Sequence, residues 1–164
     1  MNQHTEKSKI ELLAYELTYH RYLLNRLNTS AIFYILTMSE YIALHHIYHV
    51  FDNLSASKVY LRELSVSMNL SIHQISKMVR ELKEKGLVRW QHDGDGDEGT
   101  YITITENGKE AMRQQTEQLK GYYGRVIEKF GYERVSAFLG ELTALEQVLN
   151  SEIEGGNTDD AEIE

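Results

Sequence analysis

Five side chains between positions 73 and 80 carry the chemistry that stands out in this sequence: His73, Gln74, Ser76, Lys77 and Arg80. All can donate hydrogen bonds, and such types suit base edges and phosphate oxygens in a DNA major groove. Gln suits adenine, whereas Lys and Arg suit guanine or phosphate. Their spacing groups them: His73, Lys77, Arg80 and Glu84 follow one another at intervals of four, three and four, the stripe of one helical face. Ile72, Ile75, Val79 and Leu82, with Met78 beside them, make the opposite face apolar. A helix built this way docks by its apolar side and leaves the donors free. The plain alternative is an ordinary solvated face.

The charge distribution favours the first reading. The 164-residue chain has a formal net charge of −8, which opposes a polyanionic partner. Residues 58–92, however, hold seven Lys/Arg against three Asp/Glu, a local +4, while 1–57, 93–151 and 152–164 carry −1, −5 and −6. The positive block surrounds the donor-bearing helix.

The elements that position this helix can be read outward from it. Ser71 and Gln74 form a capping box at its start, and Lys85-Gly86 ends it with a glycine suited to a left-handed terminus. Before it, Val59-Tyr60 opens the block, a short helix carries Leu61, Leu64 and Met68, and the chain breaks at Asn69. After it, Leu87 to Gln91 and Thr100 to Ile104 are β-rich runs flanking a Gly/Asp turn, Asp93 to Gly99, which signals a hairpin. Two helices, a tight turn and a hairpin describe a helix-turn-helix with a wing.

Further out, Lys9 to Leu27 repeats apolar residues at helical spacing (Ile10, Leu13, Leu17, Leu24, Leu27), thickened by Tyr15, Tyr19 and Tyr22. A connector near Asn28 to Leu36 follows. Thr37 and Glu40 form another capping box, opening a helix to about Phe51 whose core face is Tyr41, Leu44, Tyr48 and Phe51, before the polar turn Asp52 to Ser57. Thr105-Glu106-Asn107-Gly108 starts a long helix, and a last one runs from about Tyr132 to Glu152. The acidic tail from Gly155 to Glu164 has no core pattern and is expected to be disordered.

Leu61-Arg62-Glu63-Leu64-Ser65, Leu70-Ser71, Ile75 through Leu82, Lys85 through Arg89 and Ile104-Thr105-Glu106-Asn107-Gly108 together resemble the multiple-antibiotic-resistance regulator (MarR) family of bacteria. The resemblance covers most of the chain in element order and is specific over residues 58–110. It implies a homodimer joined through the first, fifth and sixth helices, binding a pseudo-palindromic site on double-stranded DNA, usually as a repressor relieved by a small molecule. By position, residues 71–80 correspond to the recognition helix and 91–100 to the wing tip. One departure is plain. Members of the family usually carry an arginine in an Asp-x-Arg wing element, and here Glu98 falls near that place, within Asp93-Gly94-Asp95-Gly96-Asp97-Glu98-Gly99. Such a wing is repelled by phosphate, so either contact leans on the recognition helix, Arg62 and Arg89, or the wing is neutralised by a cation or partner. Trp90 likewise stands where the family often has a basic residue.

Asp93, Asp95 and Asp97 have the spacing that opens a calcium loop, but Glu98 occupies the glycine position and Ile104 the bidentate glutamate position, so the pattern fails. His45 and His49 stand four apart with His46 adjacent and Glu40 a turn upstream, which suits a transition metal; without cysteine, further ligands such as His4 or His20 would have to converge, and structural histidines are the simpler reading. Seven of eleven tyrosines precede residue 61. In the resembled family that region borders a cleft for aromatic effectors, which nominates Tyr15, Tyr19, Tyr22 and His45 as an effector pocket; core and interface packing is the alternative. No phosphate-cradling glycine motif and no nucleophile, His and acid grouping is present, so no catalysis and no cofactor are expected. The chain has no cysteine, no signal-like N-terminus and no long apolar run, so a cytoplasmic location without membrane contact is expected.

The expectation is a mainly α (α+β) single domain over 1–164. Residues 1–36 and 106–153 form a helical dimerisation region, 37–105 the winged helix-turn-helix, and 154–164 the tail. The DNA-contacting set is Arg62, Ser71, His73, Gln74, Ser76, Lys77, Arg80 and Arg89. Two other functions stay open: a winged-helix protein-interaction module that has lost DNA binding, with its acidic wing and tail facing a basic partner, and a zinc-responsive regulator.

Overall fold

A computed structural model describes residues 3–53, 58–92 and 99–159. In chain order it contains α1 (Gln3–Asn25), α2 (Met38–Asn53), β1 (Val59–Tyr60), α3 (Leu61–Met68), α4 (Ile72–Glu84), β2 (Val88–His92), β3 (Thr100–Ile104), α5 (Glu106–Phe130) and α6 (Tyr132–Asp159). The chain divides into two compact units, Met1–Met112 and Arg113–Glu164.

The first unit holds the core. α4 contributes Ile75, Val79 and Leu82, all fully buried, and α3 contributes Leu64. Ala43, Leu44 and Ile47 from α2 close one side, and Val59, Val88, Ile102 and Ile104 from the strands close another. Such interlocked burial is the dominant force positioning α4. On α2 the buried face is Glu40, Ala43, Leu44 and Ile47. Tyr41 and Tyr48, expected at its centre, pack half-buried at the margin, because the small Ala43 lets the helix approach more closely on the neighbouring stripe. The side chain of Phe51 lies outside the described residues.

The hairpin pairs Val88 with Ile104, Arg89 with Thr103 and Trp90 with Ile102, antiparallel. A third strand, which the sequence pattern did not separate from the helix after it, joins the other edge of β3: Val59 opposite Ile102 and Tyr60 opposite Tyr101, giving the order β1-β3-β2.

Local chemistry fixes the joints. Asn69 adopts φ 50°, ψ 47°, and the Leu70 N–H donates to the Ser65 carbonyl at 3.1 Å, which turns the chain between α3 and α4. Gly86, at φ 72°, ends α4 as expected, with the Leu87 N–H reaching the Leu82 carbonyl at 2.9 Å. Thr105 caps α5 by accepting from the Gly108 N–H at 3.0 Å, and its hydroxyl lies 2.7 Å from the Gly86 carbonyl oxygen. Gly108 has no room for a side chain there: a Cβ would stand 2.1 Å from the Leu87 carbonyl oxygen.

In the second unit α5 gives way to α6 at Gly131, φ 101°, whose N–H donates to the Ile127 carbonyl at 2.8 Å. α6 runs to Asp159, beyond the Glu152 end that the sequence pattern suggests. Residues 160–164 of the expected tail lie outside the described residues. Among the described residues no helix is long and apolar enough to cross a membrane.

Candidate nucleic-acid interface

α4 begins where its capping box closes. The Ser71 N–H donates to Gln74 Oε1 at 2.9 Å, the Ser71 hydroxyl lies 3.0 Å from the same oxygen, and the Gln74 N–H donates to Ser71 Oγ at 3.3 Å. These bonds satisfy donors that a helix start leaves unpaired. Both side chains thereby serve the backbone first.

Beyond the cap, α4 shows the two faces expected of it, with one correction. His73, Lys77 and Arg80 are exposed opposite the buried Ile75, Val79 and Leu82, and Ser76 is half-buried between the faces. Among the described residues, His73, Lys77 and Arg80 have no hydrogen-bond or ion-pair partner. Two cations and an imidazole are therefore held outward on a rigid element without an internal use. Ile72, expected on the inward face, is 47% exposed, because the first turn of α4 projects past the edge of the core.

Ile72 instead lines an open cavity of about 1000 Å³ with Tyr60, Leu61, Arg62, Val66 and Thr100 among its walls. Arg62 thus stands exposed on α3 at the rim of this hollow, next to the start of α4. Arg89 is exposed on β2, across from Thr103. Lys58 is a candidate that motif reading passed over: its ammonium sits 4.3 Å from the ring centre of Tyr101, on the central strand. Its only sequence signal is membership of the positive block.

Lys85 departs from that block's apparent role. Its ammonium is hydrogen-bonded to Glu40 at the start of α2. Glu40 also caps α2, accepting from the Thr37 N–H at 2.9 Å. Burial pushes the Glu40 carboxyl up, but the bonds from Lys85 and the Thr37 N–H, with the Lys85 charge, more than offset it and hold the group below its ordinary value of 4.5. Lys85 is a tie between helices.

The wing tip, with Asp93, Asp95, Asp97 and Glu98, lies outside the described residues. Of the nominated effector pocket, Tyr15 and Tyr19 stack on α1 with centroids 5.9 Å apart and planes 5° from parallel, and Tyr22 follows on the same helix; all three are exposed. His45 lies on α2 against Tyr41 and His49, at centroid distances of 5.9 and 4.1 Å. Burial, then the neighbouring His49 and His46, hold His45 below its ordinary 6.5. Among the described residues no third metal-ligating side chain joins this pair.

No family model matches the sequence, and no curated protein sequence does. Solved structures do match. A MarR family transcription regulator superposes with a TM-score of 0.69 at 14% identity, over 92% of this chain and 98% of that one. The chain has the MarR fold. A MarR family regulator from Rhodococcus sp. RHA1 matches at a TM-score of 0.64 and 20% identity, over 81% of this chain and 94% of its own. An organohalide-sensing regulator, solved with 2,4-dichlorophenol bound, matches at 0.67 and 18%, over 90% of this chain and 85% of that one. Within the MarR fold, the winged unit is the part whose register and caps are described above.

Proposed function

We propose that this chain is a regulator of transcription, acting as a homodimer that binds a pseudo-palindromic site on double-stranded DNA and releases it when a small molecule binds. The observation that carries the reading is the outer face of α4, where Lys77 and Arg80 stand exposed and without an internal partner on a helix locked by its buried face. Two cations on a fixed helix, within the sequence's positive block, are what phosphate attraction and base reading require. Affinity rests on Lys77, Arg80, Arg62 and Arg89, and specificity on His73, Gln74, Ser76 and the same two cations of α4. Ser71 sets the helix start.

Dimerisation is assigned to residues 1–36 and 106–153, and DNA binding to 37–105. Large apolar side chains left exposed within single helices support this: Ile10, Leu13, Leu17 and Leu24 on α1, and Phe138, Leu139, Val148 and Leu149 on α6. Surfaces of that kind mark contact with another chain. The effector is proposed to be a small aromatic molecule held near Tyr15, Tyr19, Tyr22 and His45, a reading supported by the chlorophenol in one structure of the same fold.

Selection of DNA by the purified protein from a fragmented genomic library tests this. A dyad-symmetric motif with half-sites about 34 Å apart is expected. Failure to enrich any sequence, at concentrations where the dimer is intact, would remove the reading and favour a protein-interaction module with an acidic wing.

A further inference from the structure

The capping box that starts α4 also restricts what Gln74 can read. A free glutamine amide offers an acceptor and a donor side by side, the pair that matches adenine's N6 donor and N7 acceptor. Here the acceptor is already taken. Gln74 Oε1 receives the Ser71 N–H at 2.9 Å and lies 3.0 Å from the Ser71 hydroxyl, so both hydrogens of the cap converge on one oxygen. The amide orientation is fixed by chemistry, because an –NH2 in that place would set a donor against the Ser71 N–H, which can only donate. What remains to face outward is the –NH2 group, on an exposed side chain at the N-terminal end of the helix, where recognition helices meet base edges.

We infer that Gln74 reads guanine and rejects adenine, because the Ser71–Gln74 capping box leaves it only donors to present. Guanine offers two acceptors, N7 and O6, on its major-groove edge, and adenine offers one acceptor beside a donor. An NH2 group can engage both acceptors of guanine, but it meets the adenine N6 amine as donor against donor. Adenine could be read in the usual paired way only by opening the box, which strips the Ser71 N–H and hydroxyl of their acceptor. Lys77 and Arg80 are likewise donors only. The half-site under α4 therefore presents acceptors along its length. This inference rests on the DNA-binding reading above.

The test is DNA selection with the full-length wild type and two variants, each also followed by thermal unfolding. Gln74→Glu keeps an acceptor for the cap and loses the donors. Its Tm should stay near that of the wild type, while one symmetry-related pair of guanines in the selected motif loses its preference, with a drop of about tenfold or more on the guanine site relative to the same site changed at that position. Ser71→Ala removes one of the two donors that occupy Oε1 and leaves the backbone N–H, which frees one lone pair of that oxygen and should relax the discrimination against adenine at the same position. A wild-type adenine preference at the position sensitive to Gln74→Glu would overturn the inference, since the box would then open on DNA. A motif unchanged in Gln74→Glu would overturn it too, leaving Gln74 a cap alone. Absence of any motif for the wild type would remove the DNA reading and this inference together, which separates that failure from the other two.

Discussion

Lys85 separates a charge that is counted from a charge that is available. It belongs to the positive block by position, yet its ammonium is hydrogen-bonded to the buried Glu40, 45 residues earlier in the chain. Because the folded protein holds the Glu40 carboxyl below 4.5, this pair's contribution to stability is complete above about that pH and is lost as the pH falls through the lower folded-state value. Lys85→Met should lower the unfolding free energy at pH 7 by about 1–3 kcal/mol, since a buried acceptor loses its donor. It should also flatten the acid limb of the stability profile. Chemical denaturation from pH 7 down to pH 3 reads both effects, and equal stability of the two proteins at pH 7 would show that the tie carries nothing. Residues acting on near neighbours were legible in the sequence: Ser71 with Gln74, Thr37 with Glu40, and Gly86 at a helix end, each decided by backbone needs within a few positions. The Glu40–Lys85 pair was not, because nothing local joins two residues that only the tertiary fold brings together.

Among the elements, α4 was readable because its buried stripe, cap and terminus agree on one helix. The exceptions have identifiable causes. Ile72 continues the stripe by spacing but sits in the first turn, where α4 has left the core, so periodicity overstates its burial. Val59-Tyr60 is too short to show alternation, and it becomes a strand because the edge of β3 needs a partner at Tyr101 and Ile102. On α2 the buried stripe is shifted because Ala43, small enough for close approach, outweighs the larger tyrosines. The turn between α3 and α4 makes the sharpest demand on sequence, since Asn69 is the one described non-glycine residue at positive φ. Asn69→Gly should keep the stability within a few tenths of a kcal/mol, whereas Asn69→Val should cost about 1–2 kcal/mol, as a β-branched side chain resists that conformation. Denaturant midpoints of the two variants check this, and equal values would mean the turn relaxes out of the left-handed region.

For the whole molecule, the net charge of −8 misleads and the distribution instructs: the basic residues cluster where the fold places the winged helix. The proposed dimerisation is a whole-chain property that a single chain registers only as exposed apolar residues. Replacing Leu17 and Leu24 together by Asp should convert a dimer in sedimentation equilibrium to monomer and abolish the concentration dependence of Tm. A monomeric wild type would contradict the assignment of α1. The central claim is that the outer face of α4 binds DNA, and a salt titration of the selected duplex with wild type and with Lys77→Ala/Arg80→Ala tests it most directly. Wild-type affinity should fall steeply with salt, by a factor on the order of 1,000 between 50 and 200 mM for six or more phosphate contacts, and the double variant should bind at least about tenfold more weakly. Binding that ignores both salt and the loss of Lys77 and Arg80 would contradict it.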